Sequence, residues 1–305
     1  MKILVTGGAG FVGTNLIADL TRRGGYEITV IDNETLGSRE NIAAFGVRFV
    51  PGDIRDKEAL RGVMEGQDAV VHLAADTRVM DSIADPRFNF ENNVGATFNL
   101  LEVAREQQVR RVINASTGGA ILGEAPSPVH EDMVPRPLAP YGASKLAVEG
   151  YLNAFGATYG LKTCSLRFSN IYGPRSFHKG SVVAHFLKRV LGGEPLTVYG
   201  DGSQVRDYLF ALDLTDGIRK AIEGGAQGVY QLGSGRPTTI NELIEVVRGV
   251  TGRQVPVTYD EFRPGEVHTT YCDVRKAQRE IGFEPATSLA DGIAQTWDWF
   301  QAAGA

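Results

Sequence analysis

Lys2-Ile-Leu-Val-Thr6-Gly7-Gly8-Ala9-Gly10-Phe11-Val12-Gly13 is the stretch whose reading decides the fold. The short apolar run Ile3-Leu4-Val5 leads straight into glycines, and a helical pattern follows at 12–23. Glycines at such a junction permit a tight turn, let the backbone approach a pyrophosphate and bring helix and strand into close contact. The free N–H groups and the dipole at the helix start favour negative charge there. The spacing reads as G-x-x-G-x-x-G from Gly7 and as G-x-G-x-x-G from Gly8.

Outward from this stretch, short β-branched runs alternate with longer helical patterns. Strands are expected at 2–6, 27–31, 47–51, 69–73, 111–115 and 161–167, with helices at 12–23, 56–64, 88–107 and 141–159. Strands separated by helices need crossover connections, so the pattern predicts an α/β fold with a doubly wound parallel Rossmann sheet. The strand runs are apolar on both faces, as a sheet covered by helices on both sides requires. After residue 168 the rhythm loosens, with later helices expected at 182–191, 213–223, 239–250 and 289–301. The division is therefore 1–168, a dinucleotide-binding domain, and 169–305, a smaller α/β substrate domain with some segments returning to the sheet. The second part is expected over the C-terminal edge of the strands, where open α/β sheets bind ligands.

Asp32 lies 19 residues beyond Gly13, at the end of the second expected strand. A carboxylate there hydrogen-bonds ribose hydroxyls and repels a 2′-phosphate, which selects NAD over NADP. Asp53-Ile54, after the third strand, is expected near the adenine, and the small residues of Leu73-Ala74-Ala75 let the fourth strand's end lie close to a cofactor. The cofactor set is thus Gly7, Gly10, Phe11, Val12, Gly13, Asp32, Asn33, Asp53, Ile54, Leu73, Ala74 and Ala75.

A second pattern occurs in Pro140-Tyr-Gly-Ala-Ser-Lys145. Residues four apart on a helix share a face, so the Lys145 ammonium can act on the Tyr141 phenol. A phenol with a pKa near 10 is a poor base at neutral pH, and a fixed positive charge beside it favours the phenolate. By itself the spacing is common on ordinary helix surfaces; the glycine-rich turn in the same half gives it meaning.

Composition narrows the class further. The 305 residues are 43% hydrophobic and 22% charged, with a net charge of −5, which suits a soluble globular protein and offers no basic footprint for nucleic acid. Only Cys164 and Cys272 occur, so no disulfide framework is implied. No signal peptide or membrane span is evident, and a cytoplasmic location is expected. His72, His130, His178, His185 and His268 lack the spacing of a metal site. Phe88, Phe90 and Phe98 are expected in core or dimer contacts, and Trp297 and Trp299 in packing of a terminal helix.

With these residues in place, the chain resembles the extended short-chain dehydrogenase/reductase family, and within it the nucleotide-sugar epimerase/dehydratase branch. The likeness runs through Thr6–Gly13, 72–75, 93–101, 141–145, 167–175, 200–207 and Arg263-Pro-Gly-Glu266. It implies that Tyr141 is the acid/base at a sugar hydroxyl and that Lys145 lowers its pKa and binds the nicotinamide ribose. A Ser or Thr at the end of the fifth strand completes the family's set. Counted from the strand, Thr117 takes that position, with Ser116 nearby; counted back from Gly123, Gly118 takes it. Dehydratases of the family carry Asp-Glu after the catalytic Thr and decarboxylases a Glu in this stretch, whereas this chain has Gly118-Gly119, which argues for oxidation and re-reduction.

The resemblance also places Asn170, Arg206 and Arg263 on the diphosphate of the substrate, a task suited to the bidentate guanidinium. Thr270, seven residues beyond Arg263, guards the sugar pocket by likeness to 4-epimerases. The implied activity is an NAD-dependent 4-epimerase acting on a UDP-hexose, N-acetylated or not, with tightly bound NAD+ and a homodimeric assembly. Alternatives are an epimerase of UDP-glucuronate or a dTDP- or GDP-sugar, a reductase, or a non-catalytic NAD-binding sensor.

Overall fold

The computed structural model describes residues 1–262 and 267–303. Its strands are β1 (Lys2–Thr6), β2 (Glu27–Asp32), β3 (Arg48–Pro51), β4 (Ala69–His72), β5 (Arg111–Thr117), β6 (Lys162–Phe168), β7 (Asn170–Tyr172), β8 (Leu196–Tyr199), β9 (Val205–Phe210), β10 (Gly228–Leu232), β11 (Pro237–Thr239) and β12 (Val257–Asp260). Seven of them form one sheet in the order β10-β6-β5-β4-β1-β2-β3, with every pair parallel. The order reverses at β1, between β4 and β2, which opens a crevice at the C-terminal ends of the strands.

Alternation along β1 divides its side chains between two cores. Ile3 and Val5 pack with Leu16, Ile17 and Leu20 of the helix Phe11–Arg23 and with Leu214 and Ile218 of the helix Ala211–Gly224. Leu4 packs on the other face with Leu60, Leu100, Val148 and Leu152, from the helices Lys57–Met64, Ala96–Glu106 and Pro140–Tyr159. Each fully buried leucine or valine contributes about 1.5–3 kcal/mol. The sheet is therefore covered on both sides, as the apolar runs predict.

Beyond residue 168 the chain forms a three-stranded sheet, β11-β9-β7, and a two-stranded one, β12-β8. They share a third core with Phe186, Phe210, Trp297 and Phe300, so Trp297 does pack the terminal helix Leu289–Ala303. One strand from this half, β10, pairs with β6 and forms the outer edge of the central sheet.

The single helix expected at 88–107 is interrupted. Pro86–Phe90 and Ala96–Glu106 are joined by a π-helical turn, Glu91–Gly95. Such turns cluster at functional sites. Here the widened turn carries Asn93, whose side chain accepts from the Asp76 N–H at 2.8 Å and donates to the Asp76 carbonyl at 2.9 Å. Phe98 packs edge-on against Tyr151 and Phe155, but Phe88 and Phe90 lie exposed rather than in the core. The short helix Gly118–Leu122 has no sequence signal, because its leading glycines read as a loop.

Candidate active site

At the end of β1 the backbone reverses at Gly7, which has φ +68° and donates its N–H to Ile31. A Cβ on Gly7 would stand 2.7 Å from the Ala74 nitrogen, because the Leu73-Ala74 segment is tied to Thr6 through both of its N–H groups. A Cβ on Gly13 would fall 2.5 Å from the Cα of Gly8. The glycines thus hold strand, turn and helix at distances no side chain permits. The helix Phe11–Arg23 has no side-chain cap at Gly10, and its first amides (Phe11, Val12, Gly13) have no acceptor within the helix by geometry. This arrangement suits a phosphate group.

Asp32 is buried and accepts from the N–H of Ala9 at 3.0 Å and of Glu34 at 2.8 Å. A carboxylate offers about four acceptor sites, so two remain for a ribose diol. Burial pushes its pKa up, against the pull of those two amides. Asn33 donates to Asp53 at 2.9 Å, so the structure brings these two expected residues together. Arg55 also grips the Asp53 carboxylate and holds its pKa down at about 2. The Ile54 side chain belongs to the core, leaving only its backbone for a ligand. Leu73, Ala74 and Ala75 are half-buried beside the glycine turn. The residues present fit an NAD molecule.

Pro140, whose missing N–H costs nothing at a first helical position, starts the helix that carries Tyr141 and Lys145. Both are buried. Lys145 donates to the Ala115 carbonyl at 3.0 Å, and the Tyr141 N–H is accepted by Ser82. Burial brings the Lys145 pKa down to about 8, while Glu149 one turn on pulls it back up. Tyr141 departs from expectation. Burial, reinforced by the Asp76 carboxylate, pushes its phenol well above the usual range. In the protein alone, desolvation and Asp76 outweigh the help expected from Lys145.

Ser116 and Thr117 separate. Ser116 donates to Glu149 at 2.6 Å, and Glu149 is gripped by Nε and Nη2 of Arg167 at 2.9 and 2.7 Å. This buried group holds the Ser116 hydroxyl under the helix Pro140–Tyr159, so Ser116 does not join the expected set. Strand alternation sends Thr117 to the opposite face, and its hydroxyl has no partner among the described residues. Gly118 is packed close to Gln231, where an added Cβ would lie 2.4 Å from Oε1. The space beside Gly119 is taken by Thr270, whose methyl would be 3.2 Å from an added Cβ.

One residue at this edge escapes sequence reasoning, while His72 takes a structural role rather than a metal-binding one. Asp76 directly follows Leu73-Ala74-Ala75 at the ligand-binding end of β4, a position that was signal enough. His72 hydrogen-bonds Thr6 and Thr97, both at 2.8 Å, and burial lowers its pKa to about 3; it is a neutral structural link.

In the second half, Asn170 and Arg206 line a cavity of about 370 Å³, together with His185, Tyr199, Gln204 and Tyr208. Arg206 donates to the carbonyls of Val205 and His268. The buried Gln204 Oε1 and Tyr208 hydroxyl have no partner among the described residues, so both can still bond a ligand. Positions 204, 206 and 208 follow the period of two expected of one strand face, a signal that could have identified Gln204 and Tyr208. Arg263, with the rest of Arg-Pro-Gly-Glu, lies outside the described residues.

A parallel sheet with a dinucleotide turn at its switch point and a Tyr–Lys pair on the same edge is the build of a nicotinamide-dependent enzyme. The chain belongs to the NAD dependent epimerase/dehydratase family, whose model matches residues 3–233. It is 36% identical over 313 residues to a UDP-glucose 4-epimerase of Mycolicibacterium smegmatis, covering 99% of each chain. It is similar to the crystal structure of UDP-glucose 4-epimerase with UDP-glucose from Thermotoga maritima, with a TM-score of 0.95, 37% identity and 100% of both chains covered. The Thermus thermophilus UDP-glucose 4-epimerase complex with NAD matches at a TM-score of 0.92 and 39% identity, over 99% of this chain and 100% of the other.

Proposed function

We propose that the chain is an NAD-dependent nucleotide-sugar 4-epimerase acting on a UDP-hexose. The observation that carries this reading is a buried Tyr141–Lys145 pair on the same edge as the free Thr117 hydroxyl, beside Gly118-Gly119, which bear no acid. Elimination needs a proton donor in that stretch; oxidation and re-reduction do not. Asp76 is an acid, but it faces Tyr141 from the β4 loop.

Bound NAD supplies a reversible acceptor for the electrons of C4 and is regenerated in each cycle. Tyr141 takes the proton of the sugar's 4-hydroxyl and returns it once the ketone has turned to its other face. Thr117 hydrogen-bonds that hydroxyl, and the Lys145 ammonium is the positive charge that favours the phenolate against burial and Asp76. Asn170, Arg206 and Arg263 hold the diphosphate. Thr270, small and seated by Gly119, favours room for a C2 substituent such as N-acetyl.

The functional division follows 1–168 for cofactor and 169–305 for substrate, with β10 lent to the sheet. Exposed Met80, Ile83, Phe88, Phe90 and Tyr151 beside the helix Pro140–Tyr159 support a homodimer; a monomer in light scattering would refute it. No described helix is long and apolar enough to cross a membrane, and both cysteines are free, which supports a cytoplasmic setting.

The test is a panel of UDP-, dTDP- and GDP-sugars with NMR of the products. New C4-epimer signals are expected with a UDP-hexose, without consumption of added NADH. Tyr141→Phe should keep bound NAD and lose about 10²–10⁴-fold in turnover. Stoichiometric NADH consumption would indicate a reductase, and bound NAD with no conversion a sensor.

A further inference from the structure

After β7 the chain runs through Gly173-Pro-Arg-Ser-Phe-His-Lys179 back to the start of the helix Phe11–Arg23. The return is anchored: Asn15, on that helix, donates to the Pro174 carbonyl at 3.0 Å and accepts from Arg175 at 3.1 Å. Ser176 is fully buried and donates to Gly173, and Phe177 packs on Phe300. Arg175 has φ +67°, a conformation that non-glycine residues adopt at some cost. Strain of this kind persists where the surroundings over-determine it, often at ligand clamps.

This anchoring fixes two cations beside the phosphate-binding turn. The Arg175 guanidinium lies over the Phe45 ring at 5.8 Å, and the Lys179 ammonium approaches the Phe11 ring at 6.0 Å. Both are partly buried, and burial lowers the pKa of each with no opposing carboxylate acting on either. Lys188 adds to the like charge: burial lowers the pKa of His178, and the charges of Lys179 and Lys188 lower it further. Partly desolvated cations without an anion are costly. A pyrophosphate seated on the turn before Phe11 would bring two negative charges to these two positive ones.

We propose that Arg175 and Lys179 are a basic clamp on the pyrophosphate of the bound dinucleotide. The glycine turn offers that group only backbone N–H dipoles, and the clamp adds full charges from the other half of the chain. Nothing in the glycine motif requires it. The inference rests on the reading of the protein as an NAD enzyme.

The test measures NAD retained by purified protein after gel filtration at rising NaCl, and NAD affinity of the stripped protein by calorimetry. Lys179→Met removes one charge. Arg175→Gly removes the other while relieving the backbone at φ +67°. Each is expected to weaken NAD binding about ten- to hundredfold and to flatten its salt dependence, with Lys179→Arg restoring most of the loss. Circular dichroism of the stripped variants checks that folding is unchanged. Unaltered NAD affinity in both variants would overturn the clamp, and a higher KM for a UDP-sugar in that case would reassign the cations to the substrate's diphosphate. A wild-type protein that binds no NAD would overturn the reading on which the clamp rests as well.

Discussion

In the proposed cofactor half the groups offered to a ligand are mostly main chain: the amides after Gly10 and the close turn at Gly7, with Asp32 as the main side chain. In the substrate half they are side chains: Asn170, Gln204, Arg206 and Tyr208 around one cavity. A site made of backbone depends on the absence of side chains, so it tolerates almost no substitution and recognises what every dinucleotide shares. A site made of side chains can be retuned one residue at a time. One cofactor cradle can thus serve a family whose substrates differ.

The largest effect should come from Gly13→Ala. Its Cβ would stand 2.5 Å from backbone that cannot yield, so bound NAD should be lost, with a fall of about 1–3 kcal/mol in stability by denaturant titration. A Gly13→Ala protein with normal NAD content would show that the cradle is not backbone-limited. Next, Arg206→Ala should raise the KM for the nucleotide sugar about 10–100-fold, the loss of charge-assisted hydrogen bonds, while NAD content stays unchanged. If NAD content falls equally, the two halves are not separable.

The smallest effect concerns pH. Tyr141 must lose its proton to act, so activity rises as pH climbs through its pKa. The Asp76 charge holds that pKa up. Asp76→Asn should therefore lower it and move the rising limb of the kcat profile to lower pH by about one unit. An unmoved limb would mean that Asp76 does not act on the reacting phenol.

Legibility in the sequence follows the same division. The cradle was readable because its glycines are contiguous and each answers to a local backbone need. Five of the six first-half strands kept their expected place within one residue at either end for the same reason, their apolar runs being local; only at 111–115 did pairing carry the strand two residues further, to Thr117. The place of Ser116 was not readable because its partner Glu149, and the Arg167 that grips Glu149, come from a helix and a strand far along the chain, and no local pattern shows them meeting. Asn93 was hidden likewise: only the folded protein brings its amide to Asp76 and Ser144. The raised pKa of Tyr141 is a property of burial, which spacing alone does not report.

The placement of β10 bears on how the molecule is made. Until Gly228–Leu232 has emerged and docked, β6 is an open edge whose unpaired N–H and C=O groups invite strands from other chains. The segments that bear Asn170 and Arg206 lie in the loop that this docking closes. Completion of the sheet and assembly of the cavity around Asn170 and Arg206 therefore depend on one closure of the chain. A chain truncated near residue 168 would present a sticky edge rather than a free-standing cofactor domain.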